Sequence, residues 1–217
     1  MNARHHLFFD LDGTLVDSRE GIVNCIRHAL EILGVPVPAT AEIESGIGVP
    51  LQQELARLVG DDRFPSALQL YRERYERIGI FEQKVYPGVL PTLARLTSNG
   101  FLACIVTSKP TVYARRVAEY FGLAPQIADI YGSPLTGDRG KEYLIRDALA
   151  SERIGASDAL MIGDRRHDVE GARANGVACL GVSYGFGSRQ ELVAAGATKV
   201  CDDPSALYDD IVAACGG

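Results

Sequence analysis

The chain opens with an apolar run, His6–Phe9, and then changes period. From Ser18 onward apolar residues return at helical spacing, at Ile22, Ile26, Ala29, Leu30 and Leu33, until Gly34, Pro36 and Pro38 close the pattern. A helix is expected there, with Ser18 as its N-cap. Further helical stretches fall at 39–45, 49–59 and 63–79, and after the first strand at His6–Phe9 no other is expected before Phe101. Beyond Tyr86 the rhythm alternates. Apolar runs at 101–106, 127–131, 159–162 and 177–182 read as strands. Helical patterns at 88–98, 110–121, 140–150, 167–174, 188–194 and 204–214 fall between or after them, with Pro110 at a first helical position.

Short apolar strands that alternate with helices predict an α/β fold, a doubly wound parallel sheet covered on both faces. The helical stretch after the first strand breaks that alternation. It is expected to be an all-helical insertion over residues 17–84, leaving 1–16 and 85–217 as the α/β core.

Composition narrows the function classes. Of 217 residues, 47% are apolar and 23% charged, the balance of a water-soluble globule. A net charge of −6 and the lack of a basic block argue against a nucleic acid polymer as partner. No apolar run approaches the length of a membrane span, and the first residues lack a signal-peptide layout, so no membrane association is expected. The five cysteines are scattered without a Cys-x-x-Cys pair and read as free thiols of a cytoplasmic protein.

The chemistry gathers at the ends of the expected strands, where open parallel sheets place their ligand crevice. Asp10-Leu11-Asp12-Gly13-Thr14 follows the first strand and Thr107-Ser108-Lys109-Pro110 the second. Gly132-Ser133 follows the third, with Lys141 opening the next helix, and Gly163-Asp164-Arg165-Arg166-His167-Asp168 follows the fourth. In extended backbone Asp10 and Asp12 are expected to point to the same side, and Gly13 permits a sharp turn. Carboxylates are seldom buried without compensation, and a hard divalent cation with oxygen ligands, Mg²⁺ by default, would supply it. Such a set suits attack on a phosphate. Each unit-charge pair at ~4 Å costs about 4 kcal/mol at an effective dielectric of ~20, so a carboxylate reaches a phosphate dianion slowly unless metal and lysine neutralise it.

These residues resemble the haloacid-dehalogenase-type phosphohydrolases over nearly the whole chain. Asp10 to Ser18, Thr107, Lys141 and Gly163-Asp164 with Asp168 occur in the family's order. The resemblance implies a Rossmann-like core with a helical cap. It implies Asp10 as nucleophile through an aspartyl phosphate, and Asp12 as general acid/base. Thr107, Ser108 and Lys141 would bind phosphate. Mg²⁺ would be held by Asp10, the Asp12 backbone carbonyl and Asp164, with Asp168 nearby. A cap inserted after the first motif is the pattern of the subgroup that includes phosphoglycolate phosphatases, and the segments around Tyr131 and Asp164 are similar to members acting as phosphoglycolate phosphatases or 5′-nucleotidases.

The expected activity is therefore a Mg²⁺-dependent phosphatase for a small-molecule phosphate ester, phosphoglycolate or a 5′-nucleotide favoured, in a monomer or small homo-oligomer. A phosphosugar mutase or a pyrophosphatase of the same fold is the enzymatic rival. A dehalogenase has no use for Asp12, and a phosphonatase would need a Schiff-base lysine from the cap, where Lys84 at the exit is the nearest. A receiver-like phospho-acceptor is the non-enzymatic rival, but it would lack the insertion. Gly46 and Gly48 form either a plain loop between cap helices or a cap loop facing the catalytic edge.

Overall fold

The computed structural model describes residues 6–135 and 139–216. In chain order the elements are β1 (His6–Phe9), β2 (Val16–Asp17), α1 (Arg19–Ile32), α2 (Thr40–Ser45), α3 (Leu51–Val59) and α4 (Phe64–Arg77). Then come β3 (Lys84–Val85), α5 (Val89–Ser98), β4 (Leu102–Pro110), α6 (Thr111–Tyr120), β5 (Asp129–Ser133) and α7 (Lys141–Glu152). The chain closes with β6 (Ala159–Gly163), α8 (Arg166–Ala174), β7 (Ala178–Val182), α9 (Arg189–Ala195), β8 (Lys199–Cys201) and α10 (Leu207–Ala214).

Six strands form one parallel sheet in the order β5-β4-β1-β6-β7-β8, flanked by helices. Strand β1 is central. Its Leu7, Phe8 and Phe9 are fully buried, which is why this run is apolar throughout rather than alternating. The chain runs outward on one side of β1 through β4 and β5, and on the other through β6, β7 and β8. The order reverses at β1, so the residues just past β1, β4 and β6 meet at a topological switch point.

The chain divides into two compact units, one made of the segment up to Val16 with Val85 to Gly217, the other of Asp17–Lys84. The second unit is helical, and its α1 packs on α4. Arg74 of α4 donates two hydrogen bonds to Glu82, at 2.7 and 3.0 Å, and Asn24 of α1 donates a third. Gly21 and Gly79 allow the backbones to close up, since a Cβ on Gly21 would lie 2.3 Å from the Gly79 carbonyl oxygen. Hydrogen bonds from Arg74 hold the Glu82 carboxyl below its usual range against the opposing effect of burial. A depressed folded-state pKa stabilises above the unfolded pKa, and that stability is lost as pH falls through the folded value. Arg74→Ala should therefore cost about 1–3 kcal/mol at neutral pH, read as a lower unfolding midpoint, with the gap to wild type closing in acid below the ordinary glutamate range. An equal gap at both pH values would contradict this reading.

Several local expectations change. The two-residue strands β2 and β3 pair with each other before Phe101 is reached, and β8 was not expected. These segments are too short to show a period. Strand β4 runs on to Pro110, which is the N-cap of α6 rather than its first residue. Ser18 stands at the N-cap of α1, but its buried hydroxyl caps nothing; the Asp17 carboxylate instead accepts the Arg19 N–H at 3.1 Å. All five cysteines are buried thiols outside any disulfide. Among the described residues no helix is long and apolar enough to cross a membrane.

Candidate active site

Strand β1 ends at Phe9, and the Asp10 N–H still bonds the Ile162 carbonyl of β6 at 2.8 Å. The chain then bends at Leu11 and turns at Gly13, whose φ is +81°. Asp10 and Asp12 thus do not continue an extended strand, and their carboxylates take different partners. Asp10 Oδ1 lies 2.9 Å from Lys141 Nζ, while both Asp12 oxygens accept from Lys109 Nζ, at 2.6 and 2.7 Å.

Lys141 opens α7 and its side chain is 3% exposed. Its Nζ donates to the Val106 carbonyl at 2.9 Å and lies 2.7 Å from Asp168 Oδ1. Gly171 lets α8 approach this helix start, because a Cβ there would lie 2.9 Å from the Glu142 nitrogen and 3.0 Å from the Lys141 carbonyl carbon. Asp168 is the third residue of α8 and spends its other oxygen on the Arg165 N–H at 3.1 Å. Asp164, fully buried, follows β6 and accepts the Phe186 N–H at 2.8 Å and the Thr14 hydroxyl at 3.4 Å.

One carboxylate oxygen from each of Asp10, Asp164 and Asp168 lies within 4.8 Å of the others. Burial is the main cause that raises Asp10, to about 6; Lys141 opposes it, while Asp168 and Asp12 add to it. Asp164 is pushed well above its usual value by burial, then by Asp168 and Asp10. Burial would lower Lys141, but Asp10 and Asp168 outweigh it and hold its pKa above the ordinary value. Two of the three clustered carboxylates, Asp10 and Asp168, share the Lys141 ammonium, and Asp10 and Asp164 resist ionising. An all-oxygen, electron-rich and buried donor set of this kind fits a hard divalent cation.

The residues expected to bind phosphate, Thr107 and Ser108, lie on β4. Thr107 is buried, and its hydroxyl oxygen accepts the Lys109 N–H at 3.2 Å, which leaves the hydroxyl proton to donate elsewhere. Ser108 is exposed. Gly46 and Gly48 belong to the helical unit. A Cβ on Gly46 would lie 2.4 Å from the buried Glu54 carboxyl group, which Arg57 clasps through two hydrogen bonds, and Gly48 has φ +94°.

Two contributors were not foreseen from the sequence. One is Lys109. The other is the loop after β7, residues 183–188, whose Gly185 and Gly187 press on Asp164 and whose Phe186 supplies a backbone donor to it. The signal for the loop was available, as Gly-x-Gly directly after a strand end.

The switch point of the parallel sheet thus gathers four aspartates, a threonine and two lysines, groups of both charges suited to holding a metal-neutralised phosphate ester. The chain belongs to the haloacid dehalogenase-like hydrolases, whose family pattern matches residues 7–182, and it is a phosphatase. It is 46% identical over 205 residues to a 5′-nucleotidase of Pseudomonas aeruginosa, covering 93% of each chain. It is 32% identical over 215 residues to a phosphoglycolate phosphatase of Rhodospirillum rubrum, covering 94% of this chain and 89% of that one. A crystal structure of a predicted phosphatase from Clostridium acetobutylicum superposes with a TM-score of 0.92 at 37% identity, covering 98% of this chain and all of that one.

Proposed function

We propose that this phosphatase hydrolyses a small soluble phosphate monoester through an aspartyl phosphate on Asp10, with Mg²⁺ as cofactor and a 5′-nucleotide or phosphoglycolate as substrate. The observation that carries the proposal is the Asp10–Asp164–Asp168 cluster, in which Lys141 Nζ lies against Asp10 and Asp168. Asp10, Asp164 and the Asp12 backbone carbonyl would hold the cation, with Asp168 beside them. Bound there, a divalent cation neutralises the carboxylates and the charge that spreads over the phosphoryl oxygens.

Asp10 supplies the attacking oxygen. An O–P bond forms on its carboxylate as the bond to the ester oxygen breaks, and Asp12 gives that oxygen a proton. Asp12 then takes a proton from water, which attacks phosphorus and restores Asp10. Thr107, with its proton directed away from Lys109, donates to a phosphoryl oxygen, and Lys141 and Ser108 complete the phosphate grip. Domains 1–16 with 85–217 carry this chemistry, and the helical cap 17–84 selects the leaving group. The 46% identity to a 5′-nucleotidase supports placing 5′-nucleotides first among substrates.

A panel of 5′-nucleotides, phosphoglycolate, sugar phosphates and pyrophosphate, scored by phosphate release, tests this reading. Activity should vanish in EDTA and return with Mg²⁺, and Ca²⁺ should substitute poorly because its looser shell disturbs in-line geometry. Full activity after exhaustive dialysis against EDTA would sink the metal assignment. A bulky residue at Gly46 must displace Glu54, and it should reorder the preferred substrates while the metal requirement stays. An unchanged order would remove residues 46–48 from substrate selection.

A further inference from the structure

We propose that Lys109 is a positioning residue that orients the Asp12 carboxylate for proton transfer; this rests on the assignment of Asp12 as the acid/base. The placement of Lys109 is built into the backbone. Strand β4 pairs with β5 at Thr107–Gly132 and resumes at Pro110–Ser133, so Ser108 and Lys109 are extra residues on β4. Such a bulge breaks strand alternation and re-aims a side chain, here at the strand end nearest the acid cluster. Gly132 makes room for it. A Cβ there would lie 2.7 Å from the Lys109 carbonyl oxygen and 2.8 Å from the Thr111 nitrogen.

The re-aimed side chain is 7% exposed, and its Nζ meets both Asp12 oxygens at nearly equal distances, 2.6 and 2.7 Å. A buried ammonium held by both oxygens anchors the carboxylate group as a whole and resists the side-chain torsions that would swing it away. That placement decides whether the carboxyl group can reach an ester oxygen, and small errors in the position of a proton donor are costly in rate. The same segment sets the Thr107 hydroxyl through the Lys109 N–H, so one bulge aligns both a phosphate donor and the acid/base. Lys141 has a different task, since it faces Asp10 and Asp168.

The test compares Lys109→Met, Lys109→Arg, Asp12→Asn and the Asp12→Asn/Lys109→Met double variant in single-turnover assays. Each is run on an alkyl phosphate and on p-nitrophenyl phosphate, whose leaving group needs no proton. Lys109→Met should slow the first step on the alkyl ester by about 10²-fold and leave the p-nitrophenyl ester nearly unchanged. Lys109→Arg, which can also reach two oxygens, should recover most of the rate. Adding Lys109→Met to Asp12→Asn should change the rate by no more than about twofold, because the lysine acts through that carboxylate. Equal losses on both esters, a raised KM with unchanged kcat, or a full further loss in the double variant would overturn the proposal. If Asp12→Asn itself slows both esters alike, the acid/base assignment falls and this inference falls with it. Lys109→Gln replaces the Met variant if the latter does not fold.

Discussion

Asp10→Asn yields a protein that releases neither phosphate nor leaving group from any ester, whereas Asp12→Asn yields one that reacts once and then stalls. Both residues lie just past β1, but the proposed chemistry uses them differently. Asp10→Asn removes the attacking oxygen. Asp12→Asn keeps the backbone carbonyl and removes the proton donor and the later base. General acid–base help is worth about 10²–10⁴-fold, so hydrolysis of an alkyl phosphate should fall by that order. p-Nitrophenolate leaves without a proton, and the Asp12→Asn protein should release about one per site in a burst before slow turnover. Stopped-flow absorbance reads the burst. A burst from Asp10→Asn, or unimpaired steady turnover by Asp12→Asn, would reverse the assignment.

Gly185→Ala should cost about 10²-fold in kcat/KM although it removes no functional group. The added methyl would lie 2.2 Å from the Gly13 carbonyl oxygen, 2.5 Å from Asp164 Cβ and 2.6 Å from Asp164 Oδ2. One of those atoms must move, and two are backbone or nearly so. Gly13 presses on the same carboxyl group, since its Cβ would lie 2.2 Å from Asp164 Oδ2. Displacing Asp164 should weaken the proposed cation site, so a Mg²⁺ titration should shift to higher concentration by about 10–100-fold. Gly155→Ala is the control, because its nearest neighbour would be 3.4 Å away, an ordinary contact. Wild-type activity and an unshifted titration in Gly185→Ala would remove the loop from the site.

What the sequence made legible was whatever a period or a residue order carries. The apolar run at β1 announced a strand buried on both faces, and the alternation beyond Tyr86 announced the parallel sheet. Lys141 and Asp168 were singled out by their places in a motif order, 27 residues apart in the chain, and the structure sets them 2.7 Å apart. What stayed hidden depends on single residues or on contacts across the fold. The bulge at Ser108–Lys109 exists only relative to β5, so the strand pattern of β4 alone hides where Lys109 points. Strands β2, β3 and β8 have two or three residues, too few to repeat anything. Ser18 matched the capping rule, but the Gly21 N–H that its hydroxyl could have capped bonds the Glu82 carbonyl at 2.9 Å instead.

The central claim is that a phosphoryl group rests on Asp10 during turnover. Asp12→Asn protein mixed with p-nitrophenyl phosphate and Mg²⁺, quenched in acid within the burst and digested for mass spectrometry, tests it most directly. The account predicts one phosphoryl group per chain, on the Asp10 side chain, labile to hydroxylamine as an acyl phosphate is. A burst with no phosphorylated peptide, or a phosphoryl group on any other residue, would contradict it.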